Sequence, residues 1–321
     1  MGKPSRAEWL EERRTGIGGS DSSAVLGLNP WMSPYSLWAD KLGMLPEREE
    51  SEAMRQGRDF EDYVARRFCE VSGKRVRRVN KILRHPENSF MLANIDRDIV
   101  GEDSGLECKT TSMLNLKKYA GGDFPVNYYC QCVHYMAVTG AKRWYLAVLV
   151  LNQALLCFQL TREPETPVPE WCVSSVYVDQ SEIDSLVDAE RSFWALVEAK
   201  EPPPLDGAPP TTDALEAIYA DSNGSSIELF GRESLIETYA ELKAQSRELD
   251  ARIAECRQIL MGDLGEAERG NCGSYDVLWK SQSRKTFDSA AFFSDFPELK
   301  ESAEDYWKTT SFRKFEIREV K

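Results

Sequence analysis

Apolar and polar positions follow two periods along the first 200 residues. Phe60, Val64 and Phe68 recur at i, i+4 and i+8 within Glu52–Val71 and predict one apolar stripe on a long helix. Shorter helices are predicted over Trp9–Arg14, from Ser20-Asp21 as N-cap to about Leu26, and over Pro34–Leu42. Arg75–Leu83 and Phe90–Ile99 read as strands separated by the turn-like HPEN at 85–88, and Gly105–Thr111 as a third. Tyr128–Val138 has a helical pattern closed by Gly140. Arg143–Leu151 and Ala154–Thr161 are apolar, β-rich runs joined at Asn152-Gln153 as a hairpin. Ile183, Leu186, Val187, Phe193 and Val197 mark a helix over Glu182–Ala199. This order predicts an α/β core, a central mixed β-sheet flanked by helices.

The pattern changes at Lys200–Asp213, KEPPPLDGAPPTTD, which holds five of the 15 prolines and reads as a semi-rigid linker. The expected domains are 1–200, a linker over 201–212, and an extension over 213–321. Within the extension, Leu235, Tyr239, Leu242, Ser246, Leu249, Ile253, Cys256 and Leu260 alternate steps of four and three, about four heptads of a helix over 233–261. That segment reads as a self-packed helical hairpin, an oligomerisation element or a partner-docking arm. Tyr275–Lys280, Lys285–Phe287 and Phe312–Ile317 look like short strands with a helix between them.

At 321 residues and 42% hydrophobic content, the chain has apolar mass for a core. It contains no run near the ~18 apolar residues of a membrane span, and its start lacks a secretory stretch. A soluble, cytoplasmic protein with no membrane partner is expected. Eight cysteines without a C-x-x-C pair and only two histidines, His85 and His134, argue against zinc of the Cys/His type. A hard cation held by carboxylates, magnesium or manganese, is the expected metal.

The net charge of −13 disfavours nucleic acid as a partner when read globally. Locally the balance reverses. Residues 51–120 carry 14 basic and 11 acidic side chains, whereas 201–321 carry 15 and 24. Lys74, Arg75, Arg77, Arg78, Lys81 and Arg84 form a run without an acid, spaced to lay cations along a strand edge against DNA phosphates.

The same basic segment holds the candidate chemistry. Glu107 and Lys109 lie two apart on a strand and so share a face. Asp96 adds a second carboxylate if its strand pairs with theirs, with Asp98 as its competitor on the same face. Two close carboxylates are costly unless a divalent cation neutralises them. Lys109 could then orient or deprotonate a water, or stabilise charge on the phosphorane-like transition state. Glu61 on the Glu52–Val71 helix is a further candidate ligand. Gln131 and Tyr135, at i and i+4, face one way along their helix. Gly18-Gly19-Ser20 before a helix is a candidate phosphate site.

These stretches resemble the YqaJ-type viral recombinase family, relatives of phage lambda exonuclease among the restriction-endonuclease-like (PD-(D/E)xK) nucleases. The resemblance is carried by ERRTGIGGSDSSAVLGLNPWMSPYSLW (12–38), AMRQGRDFEDYVARRF (53–68), HPENSFMLANIDRDIVGEDSGLECKTT (85–111) and YYCQCVHYMAVTGAKRWYLAVL (128–149). The tail stretches 263–288 and 309–319 are also similar to C-terminal regions of longer phage members. The resemblance implies a restriction-endonuclease-like core, with Asp96, Glu107, Glu61 and the Cys108 backbone carbonyl as metal ligands. It implies Lys109 as motif lysine, Gln131 and Tyr135 as the Q-x-x-x-Y element, and Ser20 with Arg13 or Arg14 on a 5′-phosphate. The implied activity is Mg2+-dependent 5′-to-3′ digestion of one strand of linear duplex DNA, with Mn2+ as substitute. In the lambda branch this exposes 3′ single strands for a single-strand annealing protein, and the enzyme is a homo-oligomer, a trimeric ring. The alternatives are an endonuclease or nickase on the same core, or a DNA-end-binding scaffold with a vestigial site. An iron–sulfur cluster, found in some relatives, is not expected here because the C-x-x-C spacing is missing.

Overall fold

The computed structural model describes residues 11–47, 50–307 and 313–317. Its chain divides between Ala220 and Asp221 into two compact units.

The first unit is built on a six-stranded sheet, and it has the α/β class the pattern predicts. In chain order the strands of this unit are β1 (Ile17–Gly18), β2 (Val76–Arg77), β3 (Leu83–Arg84), β4 (Met91–Ala93), β5 (Arg97–Ile99), β6 (Ser104–Thr111), β7 (Arg143–Val150), β8 (Ala154–Thr161) and β9 (Ser174–Tyr177). The main sheet runs β2-β5-β6-β7-β8-β9, with β6–β7 and β8–β9 parallel and the other pairs antiparallel. A small second sheet has the order β1-β4-β3.

The helices of this unit are α1 (Gly19–Val25), α2 (Pro34–Lys41), α3 (Glu52–Ser72), α4 (Val126–Thr139), α5 (Gln180–Ala199) and α6 (Pro209–Ile218). Strand alternation decides which helix each face meets. On β7, Trp144, Leu146 and Val148 join Cys132, Val133 and Met136 of α4 in one cluster. Tyr145 and Ala147 turn the other way, onto Val64, Ala65 and Phe68 of α3. Leu106 of β6 packs on the α3 side, so Glu107 and Lys109 face α4. Phe60, expected in the α3 stripe, is exposed because the sheet covers only the C-terminal turns of that helix.

Several expectations need correction. The run Phe90–Ile99 is two strands, β4 and β5, and they belong to different sheets; Asn94, Ile95 and Asp96 form the crossing between them. Arg75–Leu83 keeps only the pair β2, with β3 beginning at Leu83. The helix after the glycines starts at Gly19 with Gly18 as N-cap, so Asp21 lies inside its first turn, where its carboxylate accepts the Gly18 N–H at 3.0 Å. The expected Trp9–Arg14 helix is helical over 11–14, and Trp9 and Leu10 lie outside the described residues.

The proline-rich boundary also moves. Proline is well suited to a first helical turn, and Pro209-Pro210 begin α6. This helix buries Thr211 and Ala214 beside Tyr35, Leu37 and Trp38 of α2. Thr211 Oγ1 donates to Asp206 Oδ1 at 2.6 Å and stands 2.7 Å from Ser33 Oγ. The segment expected as linker and start of the extension therefore belongs to the first unit.

The second unit contains α7 (Glu233–Leu264) and the hairpin β10 (Arg269–Cys272) with β11 (Tyr275–Leu278). The helix expected over 233–261 is one unbroken helix of 32 residues, so of the three readings of this segment a helical hairpin does not apply. Lys285–Phe287 is not a strand, nor are residues 313–317; Phe312 lies outside the described residues.

A chain ending at Ala220 is expected to melt like the first unit of the full protein. Ending at Pro204 should lower the melting point by about 4–8 °C, because losing α6 uncovers apolar surface worth about 2 kcal/mol. Scanning calorimetry of the two truncations checks this, and equal melting points contradict it.

Candidate active site

The β5–β6 ladder places the two candidate acids opposite each other. Its register pairs Arg97 with Leu106 and Asp98 with Gly105, so Asp96 extends it across from Glu107. Asp96 Oδ2 accepts the Cys108 N–H at 2.7 Å. Glu107 is 3% exposed, and its Oε1 takes the Lys109 ammonium at 2.6 Å and the Gln131 amide at 2.7 Å. Gln131 Nε2 also lies 2.9 Å from the Tyr135 hydroxyl, which donates to the Asn94 carbonyl at 3.1 Å. Asp96, Glu107, Lys109, Gln131 and Tyr135 thus form one contiguous polar cluster under α4.

The cluster is electrostatically loaded. Burial, then the charges of Glu107 and Glu61, push the Asp96 carboxyl well above its usual range. Burial likewise raises Glu107, only partly offset by Lys109. For Lys109, burial disfavours the ammonium, but Glu107 and Asp96 outweigh it and drive its pKa up. The Lys109 ammonium also lies 5.2 Å from the centre of the Tyr128 ring. Glu107 Oε2 is buried and has no hydrogen-bond partner among the described residues. An orphaned carboxylate oxygen beside a second carboxylate suits a hard cation. Among the described residues, no three His, Cys, Asp or Glu side chains are grouped to cage a metal.

Glu61 is not in this contact set. From α3 it pairs with Arg97 at 2.5 Å, a guanidinium 4% exposed that also holds Asp62 at 2.5 Å. Arg97 lies in register with Leu106, so this pair stands on the α3 side of the sheet. Asp98 is separated from Asp96 by its own partner, Arg77, at 2.6 Å.

Close packing brings the glycine turn to the cluster. A Cβ on Gly19 would stand 2.5 Å from the Tyr135 ring and 3.1 Å from Gln131 Cγ, so only glycine lets α1 approach α4 this closely. Ser20 is exposed in the first turn of α1. Arg13 reaches the same turn, with Nη2 2.9 Å from Asp21 Oδ1, whereas Arg14 lies against Gly43. Asp21 in turn holds the buried Lys41 ammonium at 2.7 Å, which also donates to the Arg13 carbonyl at 2.9 Å. Burial opposes the Asp21 carboxylate, but Lys41 and Arg13 more than compensate and hold its pKa far below the usual range.

The basic run is largely paired. Lys74 meets Glu102, Arg77 meets Asp98, Arg78 meets Asp62, and Arg84 stands 3.9 Å from Glu12. Arg75 and Lys81 lie in the same stretch.

Three groups escaped the sequence reading. Lys41 reads as the last-turn lysine of an ordinary helix, and only the fold buries it against Asp21. Arg97 lies between the two acids of IDRD, a context that hides its role as the anchor of Glu61. His134 is fully buried, with Nδ1 2.8 Å from Glu190 and Nε2 2.9 Å from the Leu92 carbonyl. Burial lowers its pKa and Glu190 raises it more, and its two ring nitrogens pin α4 to α5 and β4.

The first unit thus carries an acid–acid–lysine cluster on adjoining strands of a mixed sheet, backed by a glutamine–tyrosine helix. The description "YqaJ-like viral recombinase domain" matches residues 8–142. A Bacillus subtilis (strain 168) protein, "Uncharacterized protein YqaJ", is 39% identical over 322 residues, covering 98% of this chain and 95% of that one. The chain belongs to the YqaJ-like viral recombinase family. Among solved structures it is similar to an alkaline exonuclease, LHK-Exo, from Laribacter hongkongensis at 18% identity and TM-score 0.49, over 61% of this chain and 94% of that one. A phage related exonuclease from Haemophilus somnus 129PT matches at 10% identity and TM-score 0.40, over 58% and 96%.

Asp21, which is buried, and Asp96, which is half-buried, predict opposite outcomes. A carboxyl whose pKa is raised on folding costs stability at every pH above its unfolded value near 3.8. In EDTA at pH 8, Asp96→Asn should therefore stabilise the protein by about 1 kcal/mol. Asp21 has its pKa depressed, so its contribution is present above that value and lost as pH falls. Asp21→Asn leaves the buried Lys41 uncompensated and should cost about 3–5 kcal/mol. Urea unfolding of both variants checks the signs, and equal signs contradict this electrostatic reading.

Proposed function

We propose that the chain is a divalent-cation-dependent deoxyribonuclease that digests one strand of linear duplex DNA, 5′ to 3′, exposing 3′ single strands for recombination. The observation that carries it is the Asp96–Glu107 opposition across β5 and β6, with Lys109 two residues on and Gln131 bonded to Glu107. Family membership supports the recombination setting. The polarity follows from the resemblance to the lambda branch.

Asp96 and Glu107, with the Cys108 carbonyl next to Glu107 in sequence, would hold magnesium or manganese. The ion supplies polarisation of the scissile phosphate and a lowered pKa for an attacking water. The chain's own residues do the positioning. Gln131 fixes the Glu107 carboxylate through its amide, and Tyr135 fixes that amide in turn through the shared contact. Lys109 holds a full positive charge at the cluster and donates to the developing negative charge on the phosphate. For a terminal 5′-phosphate this reading takes Arg13, whose pairing with Asp21 beside the Gly18–Ser20 turn supports it over Arg14. Glu61 acts on the acids through its charge while Arg97 restrains it.

Digestion of a linear duplex carrying a 5′-phosphate and one labelled strand tests this reading, with magnesium or EDTA, beside a closed circle. Magnesium-dependent release from the 5′ end is expected, reduced about 100-fold or more in Glu107→Gln. Gln131→Ala should lose about 10–100-fold, the usual cost of an orienting neighbour of a ligand. Cleavage of the closed circle would make the protein an endonuclease. Full activity in EDTA or in Glu107→Gln would overturn the site.

A further inference from the structure

Helix α7 presents an apolar seam that its own unit leaves open. The eight seam positions from Leu235 to Leu260 fall at strict a and d spacing within one unbroken helix of 32 residues, and the seam spans about 38 Å. No residue of α7 is buried; Leu242, Leu249 and Ile253 are 57%, 55% and 64% exposed. Phe315 lies edge-on to Tyr239, with ring centres 5.9 Å apart. Long helices in water owe their stability mainly to packing of an apolar face, so this seam calls for a cover.

We propose that the cover is α7 of a second copy, in an antiparallel two-stranded coiled coil. The flanking charges choose both partner and direction. With the register that pairs all eight seam positions, Leu235 meets Leu260, Tyr239 meets Cys256, Leu242 meets Ile253, and Ser246 meets Leu249 of the second copy. In that register Lys243 faces Asp250 of the other copy on both sides of the dyad, and Arg252 faces Gln245. A parallel pair would instead set Arg252 against Arg257 of the other copy, twice, with no opposite-charge pair in return. The seam is thus self-complementary in one direction only. The polar Ser246 lies next to the dyad, where a single polar seam position helps to set register.

Cysteine cross-linking of the full chain tests the proposal. Residues 239 and 256 are about 25 Å apart along one helix, so a bond between them must join two copies. Under mild oxidation at tens of micromolar protein, Tyr239→Cys should yield a disulfide-linked peptide joining position 239 of one chain to Cys256 of the other, at least tenfold above unlinked background. Leu242→Cys with Ile253→Cys should give the 242–253 link independently, should loss of the Tyr239 ring loosen the seam. Adding Leu249→Glu to either should abolish the link and halve the mass in solution. A Cys256–Cys256 link in the unsubstituted protein would mean a parallel arrangement and overturn the proposal. So would the absence of both engineered links in a folded protein.

Discussion

Two carboxylates set opposite each other on adjoining strands, Glu107 buried and Asp96 half-buried, set the terms for the rest of the first unit. Asp96 and Glu107 meet because β5 and β6 pair antiparallel in a register that sets them opposite each other. Burial raises both pKa values, and the Glu107 charge pushes Asp96 higher still. Lys109 and Gln131 contribute a positive charge and an amide dipole, yet one Glu107 oxygen is still without a partner among the described residues. Such a site is unfavourable to the fold in isolation, and the surrounding structure has to be rigid enough to maintain it.

The rigidity has identifiable sources. Tyr135 and Gln131 are locked because Gly19 lets α1 pack directly on their side chains. The His134 ring ties α4 to α5 and to the β4 carbonyl of Leu92. Asp21, Lys41 and Arg13 form a second buried charge cluster under the glycine turn, and Arg97 forms a third with Glu61 and Asp62 on the opposite side of the sheet. Asp21 and Arg97 are the buried members, each held by two partners, and stripping a buried charge of its partners is far more costly than the pairs are worth intact. The net charge of −13 is therefore a poor guide to this half of the molecule. Lys74, Arg77, Arg78 and Arg84 each have an acidic neighbour, and the acid excess is shared between the two units, −8 up to Ala220 and −5 beyond it.

Much of this is legible in the residues. The two-residue spacing of Glu107 and Lys109 fixes their common face through strand geometry, and the four-residue spacing of Gln131 and Tyr135 does the same on a helix. The apolar period of α5 and the hairpin around Asn152, which takes positive φ, are equally plain. What is hidden depends on contacts remote in sequence. The break at Asn94–Asp96 is invisible locally because MLANID has the composition of one continuous strand. The α6 helix hides behind its prolines, which favour a helix start as readily as a linker. The pairing of Arg78 with Asp62, or Lys41 with Asp21, spans 16 and 20 residues and is decided by the fold alone. Glu61 reads from the sequence as a companion of the acids, but its clamp by Arg97 becomes visible only once β5 is placed.

The most direct measurement is calorimetric titration of the protein with Mn2+ at pH 6 in buffers of different ionisation heat, which counts protons released per ion bound. Burial raises the proton affinity of both carboxyls, so a cation that binds them competes with protons. One ion bound with release of about one proton, and neither binding nor release in Glu107→Gln, is the predicted result. Binding without proton release, or binding unchanged in Glu107→Gln, would contradict the claim that this buried pair is maintained for a metal ion.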